Sequence, residues 1–320
     1  MIFEFKSHEI DVYIKISKLG AQGGSVANSL LATGRYRVRA LSRNPDSDKA
    51  KALASKGAEV VKFDITVKED IKSALSGADI AWLVTNFWDK SLVAVDFGEE
   101  ERLGKLFADI AKEEGINWLI YSSLPDCTAE SGGKYPDVIQ FTGKNHVEQY
   151  IRTLGIPNAT FIYLGFYNQN LGTNTPLIPN ENGEIEIALP YLEENDQLPV
   201  VDAESDTGPI IAKIIEEGPD KWNGKKVPVA SEYVTMKHIA DVLSEVTGKK
   251  YKVRTLDDKG VAEKIPHKNN EQIKQMFKFE KEFGLFGTDN EVKDISIAKK
   301  LHPNIKAFEQ YARETFGKHK

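Results

Sequence analysis

The sequence predicts an α/β protein: a doubly wound parallel Rossmann sheet with a smaller C-terminal α+β lobe interleaved with it in sequence. Three observations predict this. Strand-like and helix-like patterns alternate through the first half of the chain, the order that builds a right-handed parallel sheet. The segment "ADIAWLVT" (78–85) is almost continuously apolar, as a parallel strand covered on both faces should be. A glycine-rich turn, "LGAQGG", stands between the first strand pattern and the first helix pattern.

The elements follow in order. A short strand is expected at 12–16, then a helix at 23–33 with Val26, Leu30 and Leu31 on one face. Strands are expected at 36–42, 58–64, 78–85 and 117–124, with helices at 48–56, 68–75 and 96–114 between them. A helix ending near 154 leads to a strand at 159–167. The Asn-, Pro- and Gly-rich segment 172–199 reads as loops and small strands outside the main sheet. Helices at 207–219 and 236–248 flank the strand pattern "KKVPVAS", and the tail carries helix patterns at 269–283 and 294–318. The expected division is a dinucleotide-binding domain at 1–170, with 205–248 packing back on it, and a smaller lobe from 171–204 and 249–320.

Composition narrows the function classes. The chain of 320 residues has 42 Lys and Arg against 48 Asp and Glu, a net charge of −6, without the concentrated basic face that direct nucleic-acid binding needs. Its one cysteine, Cys127, excludes an intramolecular disulfide framework and points to a reducing compartment. No apolar run reaches the roughly 18 residues of a membrane span, and "MIFEFKSHEIDVYIKIS" lacks the cleavage site of a secretory leader. The expected location is the cytoplasm, with the nucleus as a second compartment. His8, His146, His238, His267, His302 and His319 show no metal-ligand spacing, so no metal site is expected.

The turn suggests the first function. A glycine-rich turn opening a helix lets backbone N–H groups and the positive end of the helix dipole meet a pyrophosphate. Gly20 and Gly23 have the spacing of the second and third glycines of that fingerprint, and Ser25 adds a hydroxyl, but Ser17 occupies the first glycine position. The strand at 36–42 ends in Ser42, Arg43 and Asn44 with no carboxylate before Asp46. A base there accommodates a ribose 2′-phosphate where an acid would accept a 2′-hydroxyl, so NADP(H) is preferred over NAD(H). Asp64 is placed for the adenine side, and Thr85, Asn86 and Phe87 for the nicotinamide side, of such a cleft.

Together "GAQGGSVANSLL", "YRVRALSRNPDS", "LVTNFW", "FTGKNHVEQYIRTLGIP" and "GFYNQN" resemble the NmrA-like family of atypical short-chain dehydrogenases, from about residue 19 to 247. The resemblance implies NADP at the fingerprint turn. It implies cofactor contacts from Gly20, Ala21, Gln22 and Gly23, from Arg43, Asn44 and Ser47, and from Asp64 with Ile65. It places Thr85, Asn86 and Phe87 in the same set and adds Arg102, Lys144 and the turn Tyr167, Asn168, Gln169 and Asn170. One departure stands out: the family pattern begins G-A-T-G, and this chain has Ser17-Lys18-Leu19-Gly20. Either the first half of the turn is weakened, or the residues before Leu19 reflect how the gene was read.

Catalysis is the harder question. In Tyr-x-x-x-Lys enzymes the lysine lowers the tyrosine pKa so that the phenol can move a proton near neutral pH. Here Gln140 stands four residues before Lys144 and Phe141 three before, and neither side chain can transfer a proton. Three readings follow. The first is an NADP-binding regulator or redox sensor acting through a protein partner, as the resemblance implies for fungal regulators that bind a GATA-type transcription factor. The second is an NADPH-dependent reductase of quinone-like or phenolic substrates, with Lys144 as the catalytic residue. The third is a binding module without cofactor. The missing tyrosine favours the first.

Overall fold

The computed structural model describes residues 10–15, 20–88, 97–264 and 270–317. Ser17, Lys18 and Leu19, on which the incomplete fingerprint rests, lie outside the described residues, as do His8, His267 and His319.

The main sheet has seven strands: β1 (Ile10–Lys15), β2 (Tyr36–Ser42), β3 (Glu59–Lys62), β4 (Ile80–Leu83), β5 (Trp118–Ser123), β6 (Asn158–Leu164) and, at the edge, Lys226–Val229. Its spatial order runs from Lys226–Val229 through β6, β5, β4, β1 and β2 to β3. Strand β1 pairs in parallel with β2 and β4, β2 with β3, and β4 with β5. This is the doubly wound α/β arrangement: the chain leaves β1 for β2 and β3 on one side and resumes at β4 on the other. Every residue of β4 and β5 is buried, which accounts for the unbroken apolar run that marks β4 in the sequence.

Contact within the chain divides it into two units, each described by itself. Unit 1 comprises residues 1–122, 147–161 and 207–225; unit 2 comprises 123–146, 162–206 and 226–320.

In unit 1, helix α1 (Ala21–Thr33) buries Val26, Ala27 and Leu30, and stops where Gly34 takes a left-handed conformation, its N–H bonded to the Leu31 carbonyl. Helices α2 (Asp48–Ala54) and α3 (Lys68–Leu75) follow β2 and β3. Helix α4 (Glu99–Glu113) opens with Glu99, Glu100 and Glu101, a charge pattern that suits its dipole, and buries Leu103, Phe107 and Ile110. Gly104 on the same face lets α4 approach closely, because a Cβ there would sit 2.7 Å from a Val147 methyl. Trp82, Trp118, Phe107 and Tyr121 fill the interior, each bulky buried side chain contributing about 1.5–3 kcal/mol.

Unit 2 has a mixed α+β core. One small sheet holds β7 (Phe166–Tyr167), β10 (Gln197–Val201) and Glu232–Thr235; another holds β8 (Leu177–Pro179), β9 (Ile185–Pro190) and Tyr251–Leu256. They share an apolar cluster built from Ile187, Leu198, Val200, Leu243, Phe277 and Phe308.

The unit boundaries differ from the sequence division for physical reasons. Helix Thr207–Glu217 lies in unit 1, against α1, whereas helix Met236–Thr247 gives Met236, Ile239 and Leu243 to the unit 2 core. Residues 123–146 fall in unit 2 because they are tied to helix Asn270–Phe283, by Asp137 to Gln275 and by Tyr135 to Glu282 and Phe279. The helix expected at 294–318 is instead two, Ser296–Leu301 and Phe308–Phe316. Pro303 between them supplies no N–H and restricts the residue before it.

Candidate functional site

In unit 1 the predicted residues follow the C-terminal ends of neighbouring parallel strands. Gly20 is the N-cap of α1, in an extended conformation (φ −75°, ψ 172°), and no side chain caps the helix. No acidic residue sits in the first turn, so the first N–H groups, with Ala21, Gln22 and Gly23, keep the polarity that an anion needs. Ser25 does not belong to that surface. It is buried, and its Oγ accepts from the Gly208 N–H at 2.9 Å, which makes it part of the packing of α1 on helix Thr207–Glu217.

At the end of β2, Arg43 is exposed. The residues after it shape the loop: Asn44 N–H donates to Ser42 Oγ (3.2 Å), Asn44 Oδ1 accepts from the Asp46 N–H (3.1 Å), and Ser47 Oγ accepts from the Ala50 N–H to cap α2. The Asn44 and Ser47 side chains therefore hold the loop that presents Arg43. Asp64, after β3, likewise uses its carboxylate on its own turn, accepting from the Thr66 N–H and hydroxyl, while Ile65 beside it is half-buried. After β4, Thr85 and Phe87 are buried and Asn86 is half-buried. Thr85 Oγ1 lies 3.4 Å from the Tyr121 hydroxyl, whose titration burial raises well above its usual range. Strands β1 and β4 flank the topological switch point; Gly20 follows β1 in sequence and the Thr85–Phe87 segment follows β4. Arg102 lies on the first turn of α4, its guanidinium held by both Glu99 carboxylate oxygens at 2.7 and 2.6 Å.

Helix α5 (Ile139–Leu154), whose residues up to 146 belong to unit 2, carries Gln140 and Lys144 one turn apart. Lys144 is half-buried. Gln140 is 3 % exposed, and neither its Oε1 nor its Nε2 has a hydrogen-bond partner. Beside Lys144, Asn145 is anchored by donating to the Leu124 carbonyl (3.2 Å) and the Tyr163 hydroxyl (3.3 Å). The turn after β7 splits into contrasting parts. Asn168 is fully buried with both amide atoms unpartnered. Gln169 is committed to the fold, donating to Asp202 Oδ1 at 2.6 Å and accepting from the Ala203 N–H, and Asn170 accepts from Asn174. Asp202 also takes the Lys306 ammonium at 2.8 Å and the Ser205 hydroxyl; burial pushes its carboxyl up, but these donors outweigh it and hold it below the usual range.

Other chemistry is sparse. Burial, with Glu280 and Glu130 nearby, drives the Cys127 thiol far above its ordinary value, so it is an inert buried side chain. Among the described residues no cluster has metal-binding composition, and no helix is long and apolar enough to cross a membrane.

With this geometry in place, known proteins give it a family. The model of the NmrA-like family matches residues 16–312. The chain belongs to the NmrA-like family. An NmrA-like family domain-containing oxidoreductase of Aspergillus flavus, lnaB, is 31% identical over 276 residues, covering 81% of this chain and 80% of that protein. The nitrogen metabolite repression protein nmr of Neurospora crassa is 33% identical over 264 residues, 77% of this chain and 51% of that longer protein. A crystal structure of NmrA, a negative transcriptional regulator, in complex with NADP superimposes with a TM-score of 0.81 at 25% identity, covering 96% of this chain and 95% of that one. The same regulator has also been solved with NAD, with the same TM-score and identity. This NmrA-like chain thus shares its fold with a dinucleotide-binding regulator and its family with proteins named as oxidoreductases.

Proposed function

We propose that this NmrA-like protein binds NADP(H) and acts as a redox-responsive regulator through a protein partner. The residues fit the dinucleotide: an uncapped α1 N-terminus without acidic residues for the pyrophosphate, and exposed Arg43 for the 2′-phosphate. The loop after β2 offers no carboxylate before Asp46, which supports NADP over NAD. When bound, the dinucleotide supplies hydride chemistry.

One observation carries the regulatory reading. Gln140, one turn before Lys144, is a buried amide that can neither give nor take a proton in the way a phenol does. The likeness to a negative transcriptional regulator over nearly the whole chain agrees with it. That role fits the cytoplasm and nucleus and a transcription factor or other protein as partner, without direct contact to nucleic acid.

A second reading is supported by half-buried Lys144 and by relatives named as oxidoreductases: an NADPH-dependent reductase of quinone-like or phenolic substrates, with Lys144 as the ionisable group. Calorimetric titration with NADP, NADPH and NAD tests the shared step. The proposal expects saturable binding with NADP tighter than NAD; no heat for either would overturn it.

A further inference from the structure

A phosphate monoester carries about −1.5 to −2 charge at neutral pH, more than a single cation balances. The loop that presents Arg43 has no surplus to offer. Between β2 and α2, residues 43–47 hold one base, Arg43, and one acid, Asp46, and both are exposed. Selecting a 2′-phosphate there calls for a second cation from outside the loop.

The register of the sheet in unit 1 supplies one. Strand β3 pairs in parallel with β2, and the last pair is Ser42 with Lys62. The pairing continues to the strand ends, because the Phe63 N–H donates to the Ser42 carbonyl at 3.0 Å. Residues side by side in neighbouring strands project from one face, with backbones about 4.8 Å apart. Arg43 follows Ser42 by one residue, a step of about 3.8 Å. The loop also turns back onto Ser42, whose Oγ accepts from the Asn44 N–H at 3.2 Å. Lys62 therefore stands beside the root of the Arg43 loop, within the reach of a four-carbon stem.

The fold makes no use of the Lys62 charge. Its neighbours Ser42 and Phe63 are 4 % and 2 % exposed, whereas Lys62 is exposed on the edge strand of the sheet. Among the described residues no carboxylate holds its ammonium. We propose that Lys62 is a second specificity-determining residue for the dinucleotide, closing with Arg43 on the 2′-phosphate of NADP(H). Arg43 brings a planar fork and Lys62 a compact point charge, so the two meet different phosphate oxygens. An NAD ribose offers Lys62 only a neutral hydroxyl. The inference rests on the reading of Arg43 as the residue that accommodates the 2′-phosphate.

The test is calorimetric titration of the full chain with NADP and NAD at about 0.15 M salt, where a Debye length of about 8 Å screens distant charges. Lys62→Gln is expected to lose about tenfold in NADP affinity and to keep NAD within about twofold. Lys62→Arg, which retains the charge, is expected to keep NADP within about threefold of the parent. Lys62→Gln combined with Arg43→Ala is expected to bind NADP no more tightly than NAD. The melting temperature of Lys62→Gln is expected to match the parent, because an exposed, unpaired side chain is removed. A parent without preference for NADP would overturn the Arg43 reading and this inference with it. A parent that prefers NADP, with Lys62→Gln either unchanged or weakened equally for NAD, would overturn this inference alone.

Discussion

The Gly208 N–H donates to Ser25 Oγ at 2.9 Å in a fully buried crossing of α1 with helix Thr207–Glu217. A Cβ at 208 would run into the Ser25 carbonyl and the Ser29 hydroxyl of α1, and the backbone carbonyl cannot yield. Gly208→Ala is expected to destabilise by about 1–3 kcal/mol through overpacking, and Ser25→Ala by about 1 kcal/mol through the lost acceptor. Urea denaturation midpoints check both; equal stability of Gly208→Ala and the parent would contradict this packing.

Arg43 is the residue on which cofactor choice rests. Arg43→Ala is expected to weaken NADP by about tenfold to a hundredfold, the loss of a charge-assisted contact to phosphate, and to leave NAD within about twofold. Calorimetry on the two dinucleotides measures it. A variant that keeps the parent preference would remove the basis for assigning NADP.

The hub around Asp202 gives a stability prediction. Lys306 and Asp202 are both largely buried, so Lys306→Met strands a carboxylate and should cost about 3 kcal/mol at neutral pH. Because the folded-state value of Asp202 is depressed, its contribution is present above the ordinary carboxylate value and is lost as pH falls through the depressed one. Melting temperatures of the variant and the parent should therefore converge in strong acid and separate as pH rises.

Glu280 behaves oppositely. Burial alone pushes its carboxyl from 4.5 up to about 8, so the folded state holds this proton over a pH range in which the unfolded chain has released it. Stability from this group is full below about pH 4.5 and declines as pH rises towards 8, by at most about 1.4 kcal/mol per pH unit. Glu280→Gln should flatten that decline, read from stability curves across pH 5 to about 8; an unchanged slope would show that another group governs it.

The sheet of unit 1 was legible because local pattern decides it. A strand buried on both faces must be apolar throughout, as β4 is, and residues that follow parallel strands must share one edge of the sheet, as Arg43, Asp64 and Thr85 do. What distance in sequence conceals was not legible. Ser25 reads as a phosphate ligand until Gly208, 183 residues away, takes its oxygen; Gln169 reads as a cofactor contact until Asp202 takes its amide. The state of Gln140 was beyond reach for a different reason: a sequence identifies an amide, and only packing shows that nothing meets it.

The central claim is that the dinucleotide is sensed rather than consumed. The most direct measurement follows NADPH absorbance with the protein over a panel of quinones and aldehydes, for the parent and Lys144→Ala. NADPH is expected to bind, with its absorbance decaying no faster than in buffer for either protein. Turnover by the parent that vanishes in Lys144→Ala would contradict it and make this chain a reductase.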